Sequence, residues 1–327
     1  MNKVKALLII NPISGTDDKE GLDGYVKKRL SEVGFDVDTV WTAGSGDATR
    51  LARNAVADGY ESVIAAGGDG TINETAAALC GTGVTLGIIP CGSGNGLARH
   101  LCIPLEVDGA VDIVAQRRAL DCDYGTVNGR PFFCTFGVGF DAAVSEKFAA
   151  DKHRGRMTYI KNTFREYLTY EPEVYTIEAN GQELTQRAFL VAVCNASQYG
   201  NNAYIAPHAS IVDGLLDLTV IDNGNPLTAA LVGIDLMSGR IDKNMLIHTL
   251  RAERATIRRG APGPVHIDGE PMFMGRELKM ECHRGGLQIY VPPTDKPFKP
   301  IITPVMAMMD DLRHTVEKML RRNNISQ

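Results

Sequence analysis

Short apolar segments alternate with helix-forming segments through the first third of the chain. The strand-like segments are residues 6–10, 35–41, 62–66 and 85–90, and the helix-like segments are residues 22–33, 48–57, 71–79 and 96–101. Because strands that alternate with helices usually pair in parallel, this order predicts a doubly wound α/β domain with helices on both faces of its sheet. Ligands bind such a sheet beyond the carboxyl ends of its strands.

A glycine-rich junction follows the third of these strands, at residues 67–71, with the sequence Gly-Gly-Asp-Gly-Thr. Glycine allows backbone N–H groups to approach a ligand closely, and a helix start presents unpaired donors at its positive end. The junction therefore predicts an anion site. Asp69 would repel a bound phosphate unless a divalent cation or the proton of a substrate hydroxyl lies between them, so the site is predicted to hold phosphate with one of these.

Two more glycine-bearing turns follow strands, at residues 11–15 and 92–95, and all three turns are expected to converge on one crevice. The glycine spacing of the segment after Pro90 is not that of a dinucleotide-binding fingerprint, and the P-loop and protein-kinase motifs are absent from the sequence. Ser93 and Asn95 are typical either of helix N-caps or of phosphate ligands. The spacing of Thr71 and Glu74 predicts a capping box at the start of the following helix, which we favour over substrate contact.

The pattern changes near Asp121, where hairpin signals and alternating runs replace the helical periodicity. Asn-Gly pairs at 128–129 and 180–181 predict tight turns, and residues 189–193 and 216–221 have strand character. We predict a mostly antiparallel β domain over residues 126–297, interrupted by helices near 157–167 and 226–238, after the α/β domain over residues 1–125. The amphipathic segment 304–320 is expected to pack back, with the rest of 298–327, on the first domain rather than to lie on a membrane.

Length and composition support two domains and exclude several classes of protein. A chain of 327 residues exceeds one typical core, and a net charge of −5 argues against a nucleic-acid-binding surface. The seven cysteines form no C-x-x-C pair, so reduced thiols are favoured over zinc or disulfides. The N-terminal apolar run is too short for a signal peptide, and no run reaches the length of about eighteen residues that a membrane span needs. We therefore predict a cytoplasmic protein without an integral membrane segment.

Two carboxylate-bearing turns in the second predicted domain have both a chemical and a plain structural interpretation. Asp268 and Glu270, two residues apart, could supply a base and its metal-bound neighbour for phosphoryl transfer, although Asp-Gly is also an ordinary turn signal. Residues 210–215 contain one carboxylate, Asp213, and backbone carbonyls that could form a small hard-metal site. From the residues alone, this segment is simply a turn that leads into a strand.

Several motifs occur together in the order of one family. They are Asn-Pro-x-Ser-Gly at 11–15, Thr42 followed by Gly-Asp-Ala at 46–48, Gly-Gly-Asp-Gly-Thr-x-Asn-Glu at 67–74, Pro-x-Gly-Ser-Gly-Asn at 90–95, Gly-Phe-Asp-Ala at 139–142, Asp-Gly-x-Leu-Asp at 213–217 and Asp-Gly-Glu at 268–270. On these motifs the chain resembles bacterial soluble diacylglycerol kinase-like lipid kinases, relatives of sphingosine and ceramide kinases. The resemblance spans essentially the whole chain. It implies that the doubly wound first domain, residues 1–125, binds the nucleotide and that residues 126–297 form a β-sandwich-like domain for the lipid, with ATP and Mg²⁺ as cofactors.

The resemblance also implies roles for individual residues. The residues expected to contact the nucleotide are Asn11, Thr42, Gly67, Gly68, Asp69, Gly70, Thr71, Ile72, Asn73, Ser93 and Asn95. Asp268, with Glu270 beside it, would act as general base on the lipid hydroxyl, while Asp69 and Asp123 would hold Mg²⁺ through water. The resemblance leaves open whether Asp268 or another Asp is the base. A structural Mg²⁺ is implied at Asp213 with the carbonyls of Ser210 and Leu215.

The function expected from the sequence is transfer of the ATP γ-phosphoryl group to a lipid hydroxyl, on diacylglycerol or a sphingoid-type lipid. Gly96 stands where many bacterial members carry Asp, and the Gly-Ser-Gly-Asn segment is closer to sphingoid-type kinases, so a plain diacylglycerol substrate is not assigned. Such a lipid would be met at a membrane surface by transient association. An NAD kinase-like small-molecule kinase and a non-catalytic nucleotide- or lipid-binding protein are the alternatives. A homodimer remains open.

Overall fold

The computed structural model describes residues 3–15, 19–150, 170–224, 226–241 and 244–293, and these divide into two compact units. The first unit contains the chain up to Cys134, the short segment Ser210–Leu215, and the chain from Glu281 to residue 293. The second unit contains Thr135–Ala209 and Leu216–Met280 as far as they are described. The first boundary between the units follows Cys134.

The first unit begins with alternating strands and helices. They are β1 (Val4–Ile10), α1 (Leu22–Glu32), β2 (Phe35–Trp41), α2 (Asp47–Ala57), β3 (Ser62–Gly67), α3 (Asp69–Leu79), β4 (Thr85–Pro90), α4 (Gly96–His100), α5 (Val107–Ala115), β5 (Ala119–Val127) and β6 (Arg130–Phe132). Strands β2, β1, β3 and β4 pair in parallel in that order. β3 and β4 are buried along their whole length, as a parallel sheet covered on both faces requires. The predicted α/β architecture is confirmed, and α5 is an additional helix that the sequence pattern did not predict.

The second unit is built mainly from antiparallel strands. Its elements are β7 (Thr135–Gly139), α6 (Phe140–Ala150), β8 (Glu173–Ala179), β9 (Gln182–Cys194), β10 (Leu216–Asp222), α7 (Pro226–Ser238), β11 (Ile247–Ala252), β12 (Arg254–Arg259), β13 (Gly263–Ile267) and β14 (Glu270–Met274). β9 pairs with β8 along its first half, and its second half lies between β7 and β10. The predicted antiparallel domain is confirmed, and so is the predicted helix at 226–238.

Strand β15 (Glu277–Tyr290) contributes its second half to the first unit. There Ile289 pairs in parallel with Leu86 of β4, and the hydroxyl of Tyr290 lies 2.7 Å from that of Ser62 on β3. The chain therefore returns to the parallel sheet near its end. The segments 157–167 and 298–327, for which a helix and a return to the first domain are predicted, lie outside the residues described.

Tight two-residue turns join the paired strands of three antiparallel hairpins. Both residues of Asn128-Gly129 and of Asn180-Gly181 have positive φ, as the predicted turn type requires. Asp268-Gly269 joins β13 to β14 in the same way, with φ of 49° and 83°. Among the described helices, none combines the length and the apolar character needed to cross a bilayer.

Candidate nucleotide and catalytic sites

The three glycine-bearing turns of the first unit lie together at the carboxyl ends of β1, β3 and β4. The amide of Asn11 donates to Thr71 Oγ1 at 2.8 Å, which links the first turn to the start of α3. The N–H of Cys91 donates to the carbonyl of Gly67 at 2.7 Å, which links the other two turns. The predicted convergence of these turns is confirmed, and it creates one backbone-lined surface at this edge of the sheet.

Glycine is required where the second and third turns meet. A Cβ atom added at Gly92 would lie 2.8 Å from the Cα of Gly68, and one added at Gly67 would lie 2.5 Å from the Cβ of Thr71. Real Cβ atoms do not approach other atoms so closely. A side chain at Gly92 would therefore force the two turns apart, and one at Gly67 would displace Thr71 within the second turn. The glycines therefore let two backbone segments lie against each other and face a common ligand.

Asp69 caps a helix other than its own. Its Oδ2 accepts the N–H of Asn95 at 2.8 Å, and its Oδ1 accepts the N–H of Gly96 at 2.7 Å. These are the first donors of α4, so the carboxylate satisfies the positive end of that helix. Asp69, whose negative charge would repel a nearby phosphate, thus holds the third turn against the second. Each carboxylate oxygen keeps a second lone pair, so contact with a metal through water is compatible with this geometry.

The N-terminus of α3, in contrast, receives no hydrogen bond from its N-cap side chain, because that residue is Gly68. The first N–H groups of a helix have no partner within the helix, so α3 presents donors to an incoming anion. Asn95 does not compete for them. Its side-chain amide instead accepts from the N–H of Gly92 at 3.0 Å and donates to the carbonyl of the same residue at 2.7 Å.

The predicted capping box at Thr71 and Glu74 is wrong. Helix α3 begins at Asp69, two residues before Thr71, so Thr71 lies inside the first turn rather than at its cap. Glu74 instead accepts the N–H groups of Gly46 and Ala48, at 2.8 and 3.1 Å, and so caps the start of α2. The expectation that Glu74 has a structural use is met, but for a neighbouring helix.

The other predicted nucleotide residues line or support the same edge. Thr42 is buried directly after β2, and its N–H donates to the carbonyl of Ile10 at 2.9 Å. Ile72 is fully buried beneath the start of α3, whereas Asn73 is half-buried. Ser93 is exposed in the third turn.

Two cationic side chains at these turns were not singled out from the sequence. Lys19 is only 6% exposed, and its ammonium donates to the carbonyl of Ser14 in the first turn. Arg99 Nε donates to the carbonyl of Gly94 in the third turn at 2.8 Å. No sequence motif marks either residue, because their positions depend on how the turns fold together. Positive charge at these turns would favour an anion beside it.

Asp123 is buried, with 1% exposure, and connects three segments that are distant in the sequence. Its carboxylate accepts the N–H of Gly214 at 2.6 Å and that of Gly285 at 2.7 Å. Its own N–H donates to the carbonyl of Ile211 at 2.7 Å. The geometry gives Asp123 a structural task whatever its relation to a metal, because it ties segment 210–215 and β15 to β5.

Replacing Asp123 with asparagine should destabilise the protein. The amide nitrogen of asparagine would face a backbone N–H, so at least one hydrogen bond to a charged acceptor is lost, at a cost of about 1.5–3 kcal/mol. Urea denaturation would measure this change. Asp121→Asn is the matched control, because Asp121 is exposed on the same strand and should change stability by no more than about 0.5 kcal/mol. Equal stability of the two variants would contradict the structural task of Asp123.

The predicted structural metal residues lie in one turn of the first unit. Asp213 Oδ1 accepts the N–H of Leu215 at 3.0 Å, and the carbonyl of Asp213 accepts from Arg284 at 2.9 Å. Carboxylate and carbonyl oxygens, with Ser210 at the start of the turn, are of the type that Mg²⁺ prefers. Across the described residues, however, no three His, Cys, Asp or Glu side chains cluster as metal ligands. A metal here would thus depend on backbone oxygens and water.

The predicted base, Asp268, lies at the tip of the β13–β14 hairpin in the second unit. Its Oδ1 accepts the N–H of Thr135 at 2.8 Å, and its own N–H donates to the carbonyl of Thr135 at 2.7 Å. Glu270, on the other side of the turn, is exposed.

The end of the β13–β14 hairpin opposite this turn is held by the buried Arg259. Its guanidinium donates to the carbonyls of Gly263, Pro264, Met274 and Gly275. Burial lowers the pKa of Arg259.

Comparison with known families divides the chain close to the boundary of the two units. Residues 5–127 match the diacylglycerol kinase catalytic domain. Residues 134–291 match the YegS C-terminal NAD kinase beta sandwich-like domain. Together these matches cover both units.

Individual relatives match over most of their length. A protein of Yersinia enterocolitica named probable lipid kinase YegS-like is 31% identical over 277 residues, which is 81% of this chain and 90% of that protein. A diacylglycerol kinase of Bacillus subtilis is 30% identical over 276 residues, 81% of this chain and 89% of that protein. A crystal structure of a diacylglycerol kinase from Bacillus anthracis, 21% identical over 89% of this chain and 97% of that chain, shares the fold with a TM-score of 0.70.

Proposed function

The chain belongs to the family of YegS-like lipid kinases with a diacylglycerol kinase catalytic domain, and we propose that it transfers the γ-phosphoryl group of ATP to a lipid hydroxyl. The acceptor we propose is diacylglycerol or a sphingoid-type lipid, met at a membrane surface. Magnesium bound with ATP would supply charge neutralisation at the phosphates.

The observation that supports nucleotide binding most directly is the contrast between two adjacent helix starts. The first donors of α4 are satisfied by the carboxylate of Asp69, whereas the cap of α3 is Gly68, which has no side chain to offer. A triphosphate would therefore bind against the start of α3, between turns that glycine keeps free of side chains. Lys19 and Arg99 would add positive charge beside it.

Asp268 is the residue we propose as general base for the acceptor hydroxyl. A base must hold a fixed orientation toward the proton it removes, and the two hydrogen bonds between Asp268 and Thr135 provide such a fixed position. Glu270 lies on the same hairpin but is exposed, so we assign it a supporting electrostatic task. Phosphoryl transfer depends mainly on positioning and on stabilisation of charge, and a carboxylate in a fixed position serves the first of these.

A labelling experiment tests the proposed function. Purified protein would be incubated with ATP labelled in its γ-phosphate, Mg²⁺, and one of three acceptors: diacylglycerol in mixed micelles, a sphingoid base in mixed micelles, or NAD. We expect label in a lipid product and none in NAD. Omission of Mg²⁺ with added chelator should abolish the labelling, because the phosphate charge is then not neutralised.

Two other outcomes would replace this proposal. Label in NAD, without label in lipid, would indicate an NAD kinase-like enzyme, a reaction that the similarity of the second unit to NAD kinases makes worth testing. ATP binding without labelling of any lipid in a broad panel, including a total lipid extract, would indicate a non-catalytic nucleotide-binding protein.

A further inference from the structure

A buried histidine lies behind the turn that carries Asp268. His266 is 1% exposed, and its Nε2 lies 2.9 Å from Asp141 Oδ2 at the start of α6. The same carboxylate oxygen accepts the hydroxyl of Tyr199 at 2.9 Å, and Oδ1 accepts the N–H of Ala142 at 2.8 Å. The Asp141 carboxylate is therefore fixed from several sides, and it fixes one face of the imidazole in turn.

The other nitrogen of this imidazole contacts the turn itself. The N–H of Gly269 donates to Nδ1 of His266 at 3.3 Å. A backbone N–H can only donate, so Nδ1 must carry a lone pair, and the proton of the neutral ring must lie on Nε2, where it donates to Asp141. The ring is thus a rigid link between a fixed carboxylate and the residue next to Asp268.

The sheet beside this link is shaped to accommodate it. Gly137 of β7 pairs with His266 of β13, and a Cβ atom added at Gly137 would lie 2.2 Å from Asp141 Oδ2 and 2.3 Å from His266 Nε2. Any other residue at position 137 would therefore prevent the contact. Two positions earlier on the same strand, Thr135 holds the backbone and the carboxylate of Asp268. The link and the Asp268 contacts thus share one strand.

We propose that His266 is a positioning residue for Asp268, an inference that rests on the proposed function. Asp141 holds His266 in the Nε2-protonated form, and Nδ1 of His266 then holds the amide of Gly269. Because Gly269 forms the turn with Asp268, the orientation of the carboxylate follows from this chain of contacts. A small displacement of a catalytic group costs up to about 100-fold in rate, so loss of the link should affect turnover more than substrate binding.

Three variants separate the two ends of the link. His266→Asn keeps an acceptor near the position of Nδ1 but cannot reach Asp141, whereas His266→Gln can reach Asp141 but offers no acceptor to Gly269. His266→Phe keeps a ring and removes both contacts. We expect kcat of the lipid kinase reaction to fall by about 10- to 100-fold in the Phe and Gln variants, with KM for ATP and lipid nearly unchanged. The fall should be smaller in the Asn variant, which keeps the acceptor for Gly269 but loses the anchor at Asp141.

A matched control is available in the same unit. His248 is exposed, and its Nε2 lies 2.9 Å from Asp222 Oδ2 in a His–Asp pair between β11 and β10. His248→Asn should leave kcat unchanged. The proposal is overturned if folded His266→Phe protein retains wild-type kcat, or if Gln restores activity as well as Asn does.

A spectroscopic measurement tests the same contacts without using activity. In ¹⁵N-imidazole-labelled wild-type protein, the His266 ring should show an unprotonated Nδ1 and a protonated Nε2 at neutral pH. Its signals among the seven histidines would be assigned by their loss in His266→Asn. An Nδ1-protonated ring or an imidazolium would overturn the proposal. Failure of the wild type to label any lipid would instead overturn the proposed function and leave this result standing.

Discussion

Asparagine in place of Asp268 is expected to reduce lipid phosphorylation by about 10²–10⁴-fold, the usual contribution of a general base, while ATP binding stays close to that of the wild type. The reason is that asparagine cannot accept the proton of the acceptor hydroxyl at neutral pH. The measurements are kcat with a lipid acceptor and equilibrium binding of ATP, both on the full chain.

The fold should tolerate this substitution unusually well. Asp268-Gly269 has φ of 49° and 83°, and Asn128-Gly129 has nearly the same values, 48° and 79°, in the hairpin between β5 and β6. Asp268→Asn would therefore create a turn sequence that this protein already uses in that conformation. The side-chain oxygen of asparagine can still accept the N–H of Thr135, as Oδ1 of Asp268 does at 2.8 Å.

Two further variants make the result specific. Asp222→Asn removes a half-buried carboxylate on β10 of the same unit and should leave turnover unchanged. Glu270→Gln tests the exposed carboxylate of the hairpin and should cost less than Asp268→Asn does. Near-normal turnover in Asp268→Asn protein would exclude Asp268 as the base, and a larger loss in Glu270→Gln would move that assignment to Glu270.

Local signals were sufficient to predict much of the architecture. The alternation of apolar and helical segments predicted the parallel sheet, and the Asn-Gly pairs at 128–129 and 180–181 predicted two hairpins, because each depends on a few neighbouring residues. Glycine turns after consecutive strands predicted the convergence at one sheet edge, because parallel strands end on the same side. These features need no knowledge of long-range contacts.

Contacts between distant segments could not be predicted in the same way. The carboxylate of Asp123 accepts hydrogen bonds from Gly214 and Gly285, which lie 91 and 162 positions further along the chain. Nothing around Asp123 in the sequence indicates those partners. Glu74 has the spacing of a capping box with Thr71, yet the fold brings the start of α2 within its reach instead. Lys19 lies in no motif, and its burial against the first turn follows only from the packed structure.

The junction residue Asp69 shows how the same residue can have two explanations. From the sequence, its charge beside a phosphate site indicated a metal or a proton between the two. In the structure, both of its oxygens accept N–H groups from α4, which explains the carboxylate without any ligand. Its predicted contact with Mg²⁺ through water therefore stays a prediction, since the second lone pairs of those oxygens are compatible with it.

The same turns lead to the second large expected effect. Gly92→Ala should weaken ATP binding by about 10- to 100-fold, or about 1.5–3 kcal/mol, the usual contribution of one or a few charge-assisted hydrogen bonds. The added methyl group would lie 2.8 Å from the Cα of Gly68 and 3.6 Å from the backbone nitrogen of Asp69. Backbone cannot rotate away as a side-chain end can, so the second and third turns must separate.

That separation would act on binding in two ways. It would move the first N–H groups of α3 out of register with the third turn, and it would place a methyl group close to one of those donors. Isothermal titration with ATP would measure the loss of affinity, and thermal unfolding would show whether the variant remains folded.

Gly24→Ala is the matched control for Gly92→Ala. Gly24 lies within α1, and a Cβ atom added there meets nothing within 4 Å, so the substitution should leave ATP affinity unchanged and stabilise the helix by about 0.5–1 kcal/mol. If Gly92→Ala protein bound ATP as tightly as Gly24→Ala protein does, the triphosphate could not lie between the two turns. The nucleotide would then have to bind elsewhere. Turns that accept a side chain where they lie closest together, without loss of affinity, do not hold the ligand between them.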